Sequence, residues 1–335
     1  MDSDLPPLHA RWMSNLLPAP IPRETKAACG DCVMCPGKGA EPEEAFAPET
    51  KCCTFVPSIP NFLAGRALAD PELAEGRRSL EARIAAREWL SPLGLGITED
   101  EQTRYRTLKA AGLFGKPGAE LRCPHYVDRD GGLCGLWRHR PAVCATWFCK
   151  HERGQVGHDF WRSMRRLLAK VEDSLSVWCV LQAGFEPAAL EALFPEEREP
   201  DLDRAWGPWR GREADFYKTC AARVEALAWD EIRRIGGASV EALCALAAEG
   251  FRKLLDVGLP ATIAAGEYRM AAAPDRLRLR GYMASDWIDL PPGWLDFLMK
   301  LESEDTASAV DRLRQAGAPD VEAVLRRLLD LGILA

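Results

Sequence analysis

Nine of the chain's twelve cysteines lie between Cys29 and Cys149, in groups whose spacing suits thiolate chemistry with metals. The first group is Cys29-Gly30-Asp31-Cys32-Val33-Met34-Cys35-Pro36. Side chains three apart on a tight turn face the same way, so two-residue spacers let successive thiolates converge on one metal or cluster. Gly30 lends that turn backbone freedom, and Pro36 stops it from continuing as helix. The second group is the adjacent pair Cys52-Cys53. In extended chain its side chains point to opposite sides, so both serve neighbouring sites, or one ligates while the other packs. The third group is Cys123, Cys134, Cys144 and Cys149, separated by turn-rich chain with Pro124, Gly131-Gly132, Gly135 and Pro141.

Nine thiols exceed one tetrahedral site, which takes about four; two such sites need about eight. Two [4Fe–4S] clusters, one cluster plus a zinc, or two zincs all satisfy that count. Zinc often mixes His with Cys, and His125 and His139 stand close by in sequence. Arg122, Arg138 and Arg140 also flank the cysteines, where cationic donors offset the negative charge of a thiolate centre. His125, His139 and Arg140 are therefore the expected second shell. Segments this short and this rich in Pro and Gly cannot bury much apolar surface, so the metal should also be structural, at about 10–16 kcal/mol of apparent folding free energy.

The order of these groups, with the steps Cys123-Pro124, Cys134-Gly135-Leu136-Trp137 and Arg140-Pro141-Ala142-Val143-Cys144, resembles the YkgJ-type cysteine-cluster family. That family is described as a zinc- or iron-chelating domain, and its relatives include flagellin lysine methylases that carry a [4Fe–4S] cluster. The resemblance covers roughly residues 29–151. It implies that Cys29, Cys32, Cys52, Cys53, Cys123, Cys134 and Cys144 bind metal, with Cys35 and Cys149 as extras. All the matching positions are cysteine, which favours iron–sulfur over zinc. The chain departs from the family in one respect: sixteen residues separate Cys35 from Cys52, where the family's front motif is compact. The expected function is a metal-binding protein with one or two thiolate-ligated centres and a structural or redox role. The resemblance also implies an alternative, a metal-dependent enzyme that modifies a protein or peptide.

The elements that must position these residues read as mainly α. Residues 1–60 are proline-rich and irregular, and residues 1–155 form the expected Cys-rich metal-binding domain. Within it, helical periodicity marks Pro71–Leu90 and Asp100–Ala111. A helical region over 156–265 contains Phe160–Ala183, Pro187–Leu193, Arg212–Ile235 and Val240–Leu255. The single cysteines Cys179, Cys220 and Cys244 fall in these helical patterns and are expected in the core. Arg162, Arg165, Arg166 and Lys170 form one stripe, expected to be a solvated face.

Residues 266–335 read as a small winged-helix-like module: a strand at Arg276–Arg280, helices at Gly293–Leu301, Asp305–Ala316 and Pro319–Leu331, and the apolar end Ile333–Ala335. It resembles the small modules appended to bacterial peptide-modifying enzymes, and contact with a protein or peptide is expected there. From Glu267 to Ala335 nine Arg/Lys stand against twelve Asp/Glu, a net of −3. Nucleic-acid binding normally shows a basic face, so it is not expected.

The whole chain carries −7, with no run of about eighteen apolar residues and no basic, apolar-cored leader, so neither a membrane span nor secretion is expected and a cytoplasmic location is. Disulfides rarely persist there. No Gly-x-Gly-x-x-Gly, P-loop, Gly-x-Ser-x-Gly or His-Glu-x-x-His run occurs.

Overall fold

The irregular reading of residues 1–60 meets its first exception at helix α1, Pro7–Leu16, in the computed structural model, which describes residues 5–26, 29–38, 42–118, 120–193, 201–282 and 286–335. Pro7 occupies the first turn, where a missing N–H costs nothing. Leu8, His9, Trp12 and Met13 fall at helical spacing and are all buried. A Pro-Pro pair reads as a turn when it in fact starts a helix.

Strand β1 (Ile59–Pro60) leads into α2 (Asn61–Ala69), almost every residue of which is buried. Helix α3 spans Ala74–Ala86, shorter than the expected Pro71–Leu90, because Arg87 (φ 55°) and Trp89 (φ 44°) turn left-handed and end it. Strands β2 (Leu90–Ser91) and β3 (Gly94–Leu95) join β1 in an antiparallel sheet of order β1-β3-β2. Helix α4 (Glu99–Ala110) starts at a capping box: Glu101 N–H donates to Thr98 Oγ1 (3.1 Å) and Thr98 N–H to Glu101 Oε2 (2.8 Å). A hairpin of β4 (Tyr126–Val127) and β5 (Leu133–Cys134) and a single turn, α5 (Ala142–Ala145), complete the front half.

Gly76 shows how α3 positions the cysteine hairpin. A Cβ built there would lie 2.0 Å from the Gly135 carbonyl oxygen, so α3 presses its backbone against the turn after Cys134. Gly76→Ala should push that turn away and destabilise the fold by about 1–3 kcal/mol, the usual cost of overpacking. If the expected metal binds, its retention should fall too, which equilibrium unfolding and metal analysis on one preparation would measure together.

The rear half is built on α6 (Gly154–Gln182), followed by α7 (Pro187–Leu193), α8 (Leu202–Ala205), α9 (Glu213–Glu225) and α10 (Trp229–Leu255). The expected helix Arg212–Ile235 breaks between α9 and α10. Helix α10 instead runs on through a kink at Gly237 (φ 60°) and absorbs the expected Val240–Leu255. One hydrophobic core runs from Leu5 to Leu254 and takes in α1, α2, α6, α9 and α10. It crosses the expected boundary at residue 155, because α2 packs on α9 and α5 on α6. Cys179, Cys220 and Cys244 lie buried in it.

A second, separate core gathers the last seventy-odd residues, Ile263 to Leu334. Strand β6 is Thr262–Ala264, β7 Arg269–Ala272, β8 Leu277–Arg280 and β9 Ile288–Leu290, with β7-β8-β9 forming a sheet. Leu277 and Leu279 are buried while Arg278 and Arg280 are partly exposed, the alternation read from the sequence. Helix α11 (Trp294–Lys300), strand β10 (Ser303–Asp305), α12 (Thr306–Gln315) and α13 (Val321–Asp330) follow. Strand β10 pairs with β6, and Leu334 bridges Ala265.

The two cores meet at four consecutive residues, Lys150 to Arg153. Next to Cys149, Lys150 pairs with Asp286 (3.1 Å), His151 bonds the Tyr282 hydroxyl, and the Glu152 carbonyl accepts from Arg327 (3.3 Å). Arg153 donates to both oxygens of Asp330 and to the Leu254 and Asp256 carbonyls, and both its side chain and that of Asp330 are largely buried. Removing one partner of such a pair leaves the other uncompensated, at about 3–5 kcal/mol. Arg153→Ala should therefore loosen the C-terminal unit, and limited proteolysis between Asp256 and Thr262 should accelerate while α6 stays protected.

Candidate metal centre

The three cysteine groups are drawn together by backbone hydrogen bonds between loops. Cys123 N–H donates to the Cys53 carbonyl (2.7 Å), Gly135 N–H to His125 (2.8 Å), and Phe46 N–H to Met34 (2.7 Å). In the β4–β5 hairpin Tyr126 pairs with Cys134, and the Tyr126 hydroxyl donates to the Pro48 carbonyl (3.1 Å). Lys51, itself buried, is the central clasp. Its ammonium donates to the Cys29 carbonyl and to the Gly132 carbonyl (2.9 Å), fastening the first group to the third from beside the second. That placement requires a left-handed backbone at Lys51 (φ 50°), uncommon for a residue with a side chain.

Cys29, Cys52, Cys53, Cys123, Cys134 and Cys144 line one cavity of about 270 Å³. Its other walls are largely aromatic, from Phe55, Tyr105, Phe114, Trp147 and Phe148. Cys32, Cys35 and Cys149 lie behind it, packed with Met34 and Phe46. Cys52 joins the two sets: Cys149 hydrogen-bonds to both Cys32 and Cys52, and Cys53 to Cys52. Among the described residues no three His, Cys, Asp or Glu side chains form a group that would clasp a single ion. The thiols surround a volume.

Their acidities divide accordingly. Burial pushes Cys29 and Cys123 up to about 12, raises Cys134, and raises Cys144 strongly. Cys35 rises to about 11, first through burial and then through the charge on Cys32. The hydrogen bond from Cys149 lowers Cys32 to about 6, and bonds from Cys149 and Cys53 hold Cys52 well below the ordinary thiol value. Cys53 and Cys149, the donors, are raised in return. Lys51 also favours the Cys52 thiolate. Without a cation, then, most of these thiols are neutral. A bound metal would have to displace their protons, so its affinity falls as pH falls.

Of the expected second shell, His125 and Arg140 lie in the cavity wall. His125 is buried, bonds Ser79 Oγ through Nδ1 (2.8 Å), and is lowered to about 4 by burial, which keeps it neutral. Arg140 stacks on Trp137 at 3.6 Å and favours the thiolates of Cys29, Cys134 and Cys144. His139 is placed differently: its Nε2 lies 2.9 Å from Asp70, whose carboxylate holds it at the turn between α2 and α3, outside the thiol cavity. Arg122 and Arg138 are likewise taken up, by Asp128 (3.3 Å) and by Glu72 with Asp70 (3.7 Å).

Two groups escaped the sequence reading. Lys51 was visible as a cation beside a Cys-Cys pair. Glu172 gave no signal: it accepts from Ala142 N–H (2.8 Å), fixing the turn that carries Cys144, and lies 2.9 Å from His9 Nε2 of α1. Burial pushes its carboxyl up.

No protein-family model, curated protein or solved structure matches this chain, so the family resemblance rests on the cysteine pattern alone.

Proposed function

We propose that the chain is a metal-binding protein with one or two thiolate-ligated centres, iron–sulfur in preference to zinc, in a structural or redox role. One observation carries the reading: thiols from three distant segments gather around a single cavity, and they line its wall. Side chains spaced around a volume suit a multi-atom inorganic core better than a lone ion, which asks for four donors each about 2.3 Å from one point. Six thiols dominate the donors of the lining; His125 joins them in the wall with its Nδ1 bonded to Ser79, and His139, bonded to Asp70, lies outside it.

In this reading Cys29, Cys53, Cys123, Cys134 and Cys144 serve the cavity, Cys32, Cys35 and Cys149 serve the space behind it, and Cys52 stands between. When bound, an iron–sulfur core would supply one-electron transfer. The chain's own part is to hold the thiols, to exclude water with the aromatic wall, and to offset negative charge with Lys51 and Arg140. The YkgJ-type resemblance and the winged-helix-like reading of the C-terminal unit both belong to this proposal. The mixture of strands β6–β10 with helices α11–α13 is compatible with the latter.

The alternative, a metal-dependent enzyme acting on a protein or peptide held by the C-terminal unit, is favoured by one feature. The cavity meets the surface beside the exposed Trp137 and Trp147. Purification without oxygen, with iron, acid-labile sulfide and zinc assayed per chain, tests the main reading. Iron and sulfide in equal amounts are expected, with a broad absorption band near roughly 400 nm; zinc without sulfide would replace the iron–sulfur assignment.

A further inference from the structure

Four cations on one face of α6 have no carboxylate within ion-pair distance among the described residues. Arg162, Arg165, Arg166 and Lys170 recur at three- and four-residue steps, opposite the buried Met164, Leu168 and Val171, and all four are exposed. Several arginines elsewhere are tied to acids, Arg66 to Glu225, Arg83 to Glu101, Arg87 to Glu213 and Arg153 to Asp330, whereas here four such cations share one helix face. The acids of this helix face are otherwise placed. Asp159 accepts from Gln155 and bonds His158, and Asp173, one turn past Lys170, feels the Lys170 charge but stands beyond ion-pair distance from it. Like charges at these helical steps repel, and the repulsion is relieved when opposite charge arrives from outside.

The stripe begins at the candidate centre. Arg165 lines the thiol cavity, and so does Trp147, which is 47% exposed. We propose that this face docks an acidic segment of a partner protein across the cavity mouth, with carboxylates on the four cations and an apolar side chain against Trp147. Arginine with an exposed aromatic is the composition of interface anchors. From Arg162 to Lys170 the stripe is about 12 Å long at roughly 1.5 Å per residue, which an extended peptide covers in about four residues. That footprint fits a short segment. A nucleic acid would need a broader basic face, and a chain carrying −7 does not offer one. The inference holds whether the cavity carries iron, zinc or neither.

Fluorescence anisotropy with a labelled Glu/Phe-rich peptide at physiological salt tests it; the Debye length there is about 8 Å, so only close charges count. The wild-type chain should bind, and more weakly as salt rises. The R162Q/R165Q/R166Q/K170Q variant should bind roughly tenfold or more weakly with an unchanged circular dichroism spectrum, since all four side chains are exposed. Trp147→Ala should weaken binding by about threefold. Equal binding by the quadruple variant, or no binding by wild type, overturns the proposal. So does a single-stranded RNA or a phosphatidylserine vesicle that engages the stripe where the peptide does not.

Discussion

Stripped of metal, the protein should keep its helical rear half and lose the order of its cysteine-bearing loops. The packing explains why the loss is local. Helices α2, α6, α9 and α10 build the main core, which also takes in Leu136, Ala142, Ala145 and Phe148 of the third cysteine segment; among the described residues the rest of the cysteine-bearing loops hold two small apolar groups, Cys32 with Met34 and Phe46, and Val56 with Leu108 and Leu121. Burying one large apolar side chain gains about 1.5–3 kcal/mol, whereas ordering each backbone residue costs about 1–2 kcal/mol. Across loops of this length the balance is unfavourable without the roughly 10–16 kcal/mol a thiolate centre provides. Hydrogen exchange reads the outcome directly. The amides of Cys123 and Gly135 should be protected in the loaded protein and exchange freely in the stripped one, while α6 stays protected in both.

Equal exchange with and without metal would contradict this expectation.

Cys52→Ser should be the most damaging single replacement among the cysteines. Cys52 is the thiol that joins the cavity set to the set behind it, and it receives hydrogen bonds from Cys149 and Cys53. On the proposed reading its loss removes a ligand where the two sets meet, and it replaces the thiolate that Cys149 and Cys53 donate to with a neutral, shorter hydroxyl. Metal per chain should fall by more than half and the unfolding midpoint by roughly 10 °C or more. Cys244→Ser makes the control: that thiol is buried in the helical core, far from the cavity wall, so metal content should not change and stability should fall by about 1–3 kcal/mol. Metal content unchanged in Cys52→Ser would remove Cys52 from the centre.

Much of this was legible in the residues, and what was missed has physical causes. Spacing alone singled out the nine cysteines. The amphipathic period of α7 stood at its observed bounds, and that of α6 at its C-terminal end, the helix starting six residues earlier at Gly154. The proline-rich start concealed α1, because a pair of prolines looks the same before a turn and before a helix. Helix α10 was divided in two because Gly236-Gly237 resembles a terminus, whereas here a single left-handed residue only bends the helix. Spacing along the chain also cannot tell which of several nearby polar side chains turns inward. His139 and Arg138 were captured by Asp70 and Glu72, acids about seventy residues earlier, and Lys51 turned in because carbonyls of two separate groups met around it. Glu172 works from the opposite side of the core, and its role exists only once α6 has packed on α5.

The most direct test of the account is X-ray absorption at the iron and zinc edges of protein purified without oxygen. A first shell made only of sulfur, at about 2.3 Å, that is lost in Cys52→Ser and kept in Cys244→Ser is the predicted result. Protein free of both metals, or a metal held mainly by nitrogen and oxygen, would contradict the claim that these thiols form its centre.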